Sequence, residues 1–167
     1  MADKKAADAS VSAPEGEKRP SCFIIMPISD QAEYKSGHFK EVFDDLISPA
    51  VVEAGYNPVR ADQVHAANLI HLDILGRLLD APLAICDVSS LNPNVMFELG
   101  VRQAFDKPVV LLKDMKTSNP FDIAPIRYVG YDETLSYRGI LSARKDLVQA
   151  IKATIAAPAG QNINSIV

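Results

Sequence analysis

Cysteine is scarce: the 167 residues hold only Cys22 and Cys86. Each sits in an apolar, strand-like run and not at a spacing that binds metal, so both read as buried thiols of a reducing compartment. Histidine is scarce too, and His38, His65 and His71 are too scattered to form a ligand set; they read as surface or helix-edge residues. Neither Gly-x-Gly-x-x-Gly nor a Walker pattern occurs, which removes the ordinary dinucleotide-dependent dehydrogenase and P-loop classes. No stretch approaches the roughly 20 apolar residues that cross a bilayer. The first residues, Met1-Ala2-Asp3-Lys4-Lys5, lead into no apolar segment of the kind a secretory signal needs. A cytoplasmic location is therefore expected. Basic residues do not exceed acidic ones; a net charge of −4 argues against a general nucleic-acid surface and leaves small molecules or proteins as partners. Internal repeats and low-complexity blocks are absent as well.

What is present is an apolar fraction of 48%, enough in a chain of this length for one domain with a real core. Residues 1–20 are small, charged and broken by Pro14, Gly16 and Pro20, a composition that cannot bury enough surface to offset ordering, and they read as a disordered leader. A single α/β domain is expected over 21–157, and 158–167 as a loose tail.

Within the domain, Cys22-Phe23-Ile24-Ile25-Met26 is a continuous apolar run ended by Pro27, the mark of a strand covered on both faces. The polar stretch Ile28 to Gly37 leaves that strand as a loop able to overhang a ligand. Apolar residues then recur at three and four from Phe39 to Ala54, a helix bent at Pro49 and stopped by Gly55. Further strands are expected at Tyr56 to Arg60, Leu83 to Cys86, Val109 to Leu112 and Ile126 to Tyr131. The spacing places helices at about Ala66 to Leu79, at Pro93 to Ala104 and at Ile140 to Ala156. Continuous apolar strands alternating with helices predict a doubly wound, five-stranded parallel sheet, and right-handed crossovers favour the flavodoxin-like order 2-1-3-4-5.

In that order the topological switch point lies between the first and third strands, so the loops after Pro27 and Asp87 meet there. The second of these opens the stretch richest in chemistry, Asp87 to Gly100. Asn92 is an N-cap candidate and Pro93 suits the first helical position. Asn94 and Glu98 share one face of the ensuing helix and Val95 and Leu99 the neighbouring one. Glu98 falls roughly 9 Å along the helix, beside the mouth and outside the core. Two carboxylates at such a place suit acid–base or nucleophilic work: Glu98 can meet positive charge that builds on a substrate, and Asp87 can hold a hydroxyl or relay a proton.

Cys22 to Pro27, Arg60-Ala61-Asp62, Asp87 to Gly100, Lys107 to Leu112, and Pro120-Phe121-Asp122-Ile123 with Arg127 and Tyr131 together resemble the nucleoside 2-deoxyribosyltransferase-like family. That group is in turn similar to the TIR-domain NAD hydrolases. The likeness spans about residues 21–131, and Asn92-Pro93-Asn94-Val95 with Glu98-Leu99-Gly100 is its most specific part. It implies that Glu98 is the catalytic glutamate, that Asp87 and Asp62 lie near the sugar, and that Met26 and Pro27 floor the base pocket. Tyr34, Asn92 and Asn94 complete the expected substrate contacts, while Asp122, Arg127 and Tyr131 are expected to brace the loop after the fourth strand. The chain departs from the family pattern at Val101-Arg102-Gln103, where many relatives carry a small residue and histidine. The resemblance implies a homo-oligomer acting on a nucleoside or nucleotide without metal or cofactor. The alternatives are a TIR-like hydrolase in bacterial defence, with NAD as substrate, and a catalytically silent nucleotide-binding or signalling domain.

Overall fold

The computed structural model describes residues 19–60, 70–118 and 127–157. Nearly all of the expected leader, the tail at 158–167, Asp62, His65, the first turn expected of the second helix and the stretch 120–123 lie outside the described residues. Five strands, β1 (Ser21–Ile25), β2 (Asn57–Arg60), β3 (Leu83–Asp87), β4 (Val109–Asp114) and β5 (Tyr128–Tyr131), form one parallel sheet in the order β2-β1-β3-β4-β5. The expected flavodoxin-like, doubly wound arrangement is what the chain adopts.

Strand periodicity sorts the core into two layers. Cys22, Ile24, Leu83, Ile85, Val110 and Leu112 face one way, against the first helical segment and α5 (Tyr137–Ala156). Phe23, Ile25, Ala84, Cys86, Val109 and Leu111 face the other, against α3 (Ile70–Asp80) and α4 (Pro93–Ala104). Removing each of the Val, Leu, Ile and Phe side chains among them from water stabilises the fold by about 1.5–3 kcal/mol, which is why uninterrupted apolar runs become the central strands.

The first helical segment is not one helix. Two α-helical pieces, α1 (His38–Glu41) and α2 (Ser48–Glu53), flank a π-helical stretch at Val42–Ile47. Pro49, expected to bend the helix, has no N–H to offer the carbonyl of Asp45, and its ring crowds that oxygen. The backbone widens there, and Arg144 of α5 donates to the freed Asp45 carbonyl at 2.7 Å. Gly55, at φ +93°, ends the segment in a conformation that only glycine adopts cheaply.

Three expectations need correcting. His38 is not a surface residue: it is 2% exposed and packs against Tyr34 and Phe39 at ring separations of 4.8 and 5.0 Å. Strand β4 continues through Lys113 and Asp114, whose charges read as loop, because both find partners inside. Lys113 Nζ donates to the carbonyls of Asp114 and Thr117, and the Asp114 carboxylate accepts from Tyr34 Oη and Thr117 N. Helix α5 begins at Tyr137, earlier than its apolar pattern, because Ser136 caps it by accepting from Gly139 N at 3.3 Å. No helix among the described residues is long and apolar enough to cross a membrane.

Candidate active site at the switch point

Parallel pairing sets Ile25 opposite Cys86, so β1 and β3 end at one level and their loops leave side by side. From β3 the chain makes a 3-10 turn, Ser89–Leu91, before entering α4. Ser90 and Leu91 sit at φ +65° and +52°, a left-handed backbone that costs a non-glycine residue about 1 kcal/mol or more.

Asp87 holds that turn. Fully buried, it accepts from Ser89 N and from Tyr131 Oη, each at 3.0 Å. Ser89 Oγ in turn lies 3.1 Å from Tyr131 Oη and accepts from Asp114 N at 2.9 Å. Farther out, Thr117 Oγ1 accepts from Ser90 N at 3.1 Å. Burial outweighs these hydrogen bonds and pushes the Asp87 carboxyl up to about 6.

Asn92 then caps α4. Its side-chain oxygen accepts from Asn94 N and Val95 N at 3.0 and 3.4 Å, while its amide nitrogen donates to Gln31 Oε1 at 3.3 Å, tying the two switch-point loops together. Pro93 occupies the first helical position, as expected.

Between these loops and α3 lies a cavity of about 480 Å³, within the size range of small-ligand sites. Five of the eight expected site residues line it: Met26, Pro27, Asn92, Asn94 and Glu98. Its other walls are mostly apolar, with Ile74 and Leu75 from α3 and Ile28 and Phe97 at the rim. The Glu98 carboxyl is half-buried, and desolvation alone raises it to about 6. No hydrogen bond or ion pair engages it among the described residues, which leaves both oxygens for a ligand.

Two expected site residues do not line this cavity. Asp87 is spent on the turn behind it, since a fully buried acid needs donors and Ser89 and Tyr131 supply them. Tyr34 points to a second, more polar cavity of about 460 Å³ that it shares with Gln31, Ser90, Leu91, Lys116 and Thr117. There its hydroxyl donates to Asp114 Oδ2 at 2.6 Å, and burial raises its pKa to about 12. Asp62 lies outside the described residues. Tyr131, expected to brace the loop after β4, accepts there from Met115 N at 2.9 Å, and its hydroxyl in addition anchors Asp87 and Ser89.

Phe97 is the lining residue whose signal sequence reading passed over. Helix α4 buries Val95, Leu99 and Arg102, and Phe97 falls off that face yet is the largest apolar side chain of the helix, 63% exposed. Among the described residues no three His, Cys, Asp or Glu side chains are grouped to hold a metal ion.

No protein-family model and no curated protein matches the sequence. Among solved structures, the 2-deoxyribosyltransferase of Bacillus psychrosaccharolyticus is similar at a TM-score of 0.50 with 12% identity, over 72% of this chain and 95% of that one. A 2-deoxyribosyltransferase of Leishmania mexicana follows at 0.44 and 12%, over 72% and 76%. At such identity the likeness is one of fold, and the fold this chain shares with the bacillary protein is the flavodoxin-like sheet of order 2-1-3-4-5.

Proposed function

We propose that the chain is an N-glycosidase or deoxyribosyl-transferring enzyme acting on a nucleoside or nucleotide, with Glu98 as its central carboxylate. One observation carries this reading: a carboxyl without a partner among the described residues, raised to about 6, faces a largely apolar cavity at the switch point of the sheet. The fold likeness to the bacillary 2-deoxyribosyltransferase supports it at the level of architecture.

In this mechanism the C1′–N bond breaks and its electron pair leaves with the base, which takes a proton from solvent. Positive charge gathers on the sugar, and ionised Glu98 either stabilises it or closes on C1′ to form an ester. Water, or the nitrogen of a second base, then attacks C1′ and returns the carboxylate. Asn94 supplies an amide to the substrate, Asn92 holds the start of α4 against the loop after β1, and Met26 and Pro27 give the base an apolar floor. Asp87 serves by holding the turn that delivers Asn92, and it does not touch the substrate.

The test is release of free base from deoxynucleosides, nucleoside monophosphates and NAD, followed by chromatography, in the native chain and in Glu98→Ala and Glu98→Gln. Release abolished by both substitutions is expected; release that survives them overturns the role of Glu98. Nicotinamide formed from NAD alone would move the assignment to the NAD-hydrolase alternative.

A further inference from the structure

Two of the aromatic side chains near the switch point, Tyr34 and Phe97, differ in what their faces are free to do. Tyr34 is enclosed: the Lys116 ammonium stands 4.6 Å from its ring centroid, and the His38 and Phe39 rings lie 4.8 and 5.0 Å away. Its hydroxyl is held by Asp114, so no flat ligand can slide onto that ring without dismantling the cluster. Phe97 has no ring neighbour among the described residues, is 63% exposed, and is the only aromatic among the described residues lining the Glu98 cavity. Ile28, itself 56% exposed, also lines this cavity, so two large exposed apolar side chains border a space whose polar side chains are Ser29, Asn92, Asn94 and Glu98. A solvent-facing phenyl next to a catalytic carboxylate is costly to leave wet and gains from covering a flat apolar ring.

We propose that Phe97 is the stacking platform for the nucleobase, with Ile28 closing on the opposite face and Asn94 reading the polar edge of the ring. The inference rests on the nucleoside reading of the cavity and deepens it: the ligand is held by its heterocycle through Phe97, and Tyr34 contributes nothing to base recognition. Stacking of a base on an aromatic side chain changes affinity by about 5- to 150-fold and tolerates any base, because every base has a π-face. Selectivity among bases then falls to Asn94, whose amide offers both a donor and an acceptor.

The chain contains no tryptophan, so Phe97→Trp places a single indole reporter at the proposed contact. Titration of that variant with adenine, cytosine and their deoxynucleosides is expected to give saturable quenching, and 2-deoxyribose alone is expected to give none. Phe97→Ala, a change at an exposed position that leaves the core intact, is expected to weaken binding of the same probes about 10-fold in calorimetry, and Tyr34→Phe to leave it unchanged. Three results would overturn the proposal: no quenching by any base, unchanged affinity in Phe97→Ala, or a ligand-independent blue shift that grows with protein concentration, which would mean that a second copy of the chain covers Phe97. Quenching by base without base release by the native chain would leave the platform standing and remove the enzymatic reading.

Discussion

The Glu98 carboxyl loses water among apolar neighbours and gains no cation among the described residues in exchange, so burial raises it to about 6 from an ordinary 4.5. Two consequences belong to this one residue. If the ionised form reacts, kcat/KM for base release rises with pH through about 6 and is flat above it. Glu98→Gln should lower kcat/KM by about 10²-fold or more. The same substitution should raise Tm by roughly 1–3 °C at pH 7.5, where the native residue is ionised, and leave it unchanged at pH 4, where both states are protonated. A coincident loss of activity and gain of stability would separate a functional carboxylate from a structural one. Arg102 is the opposite case. Fully buried, it donates to the carbonyls of Leu78, Ala81 and Pro108, joining the end of α3 to the start of β4. Arg102→Met keeps the packing but removes the charged donor from the Leu78 and Ala81 carbonyls, leaving Pro108 its bond from Ala84 N, and chemical denaturation should show a loss of about 3 kcal/mol or more.

At the level of elements, the turn between β3 and α4 holds two consecutive non-glycine residues in left-handed backbone. Leu91 sits at φ +52° and donates to the Val88 carbonyl at 3.1 Å. Leu91→Gly relaxes the left-handed backbone and should be neutral or stabilising by up to about 1 kcal/mol. Leu91→Pro, whose φ is locked near −65° and which has no N–H, should cost about 3 kcal/mol and move Asn92 out of place. Thermal melts and the base-release assay together check both. This turn could not be read from the sequence, because Ser90 and Leu91 carry none of the glycine or asparagine that marks positive φ. It holds only because Asp87, Tyr131 and Thr117, drawn from three different segments, fix it from outside. The π-helical stretch is similar: Pro49 announced a disturbance, but the widening is met by an arginine about a hundred residues downstream.

At the scale of the molecule, the buried Asp87 couples the fold to pH. Its folded pKa of about 6 lies above the 3.8 of an ordinary aspartate, so between those values the native state binds more protons than the unfolded chain. Its contribution to stability is therefore greatest at low pH and declines as pH rises from about 4 to about 6, by at most about 3 kcal/mol. In Asp87→Asn that decline should vanish. The stability of the variant relative to the native chain should climb over the same window and then level off, measured by denaturant unfolding at a series of pH values.

The sequence by itself determined the sheet, its strand order, the helix that opens at Asn92 and the face of that helix that carries Asn94 and Glu98. These follow from local periodicity, capping chemistry and chain handedness, each legible over a few residues. Only the tertiary structure decided that Asp87 supports the site from behind, that Tyr34 is enclosed while Phe97 is free, and that Lys113, Asp114 and Arg102 are buried. Burial and hydrogen-bond partnership arise between residues far apart in the chain, and a charged or aromatic side chain carries no local mark of which partners the fold will bring to it.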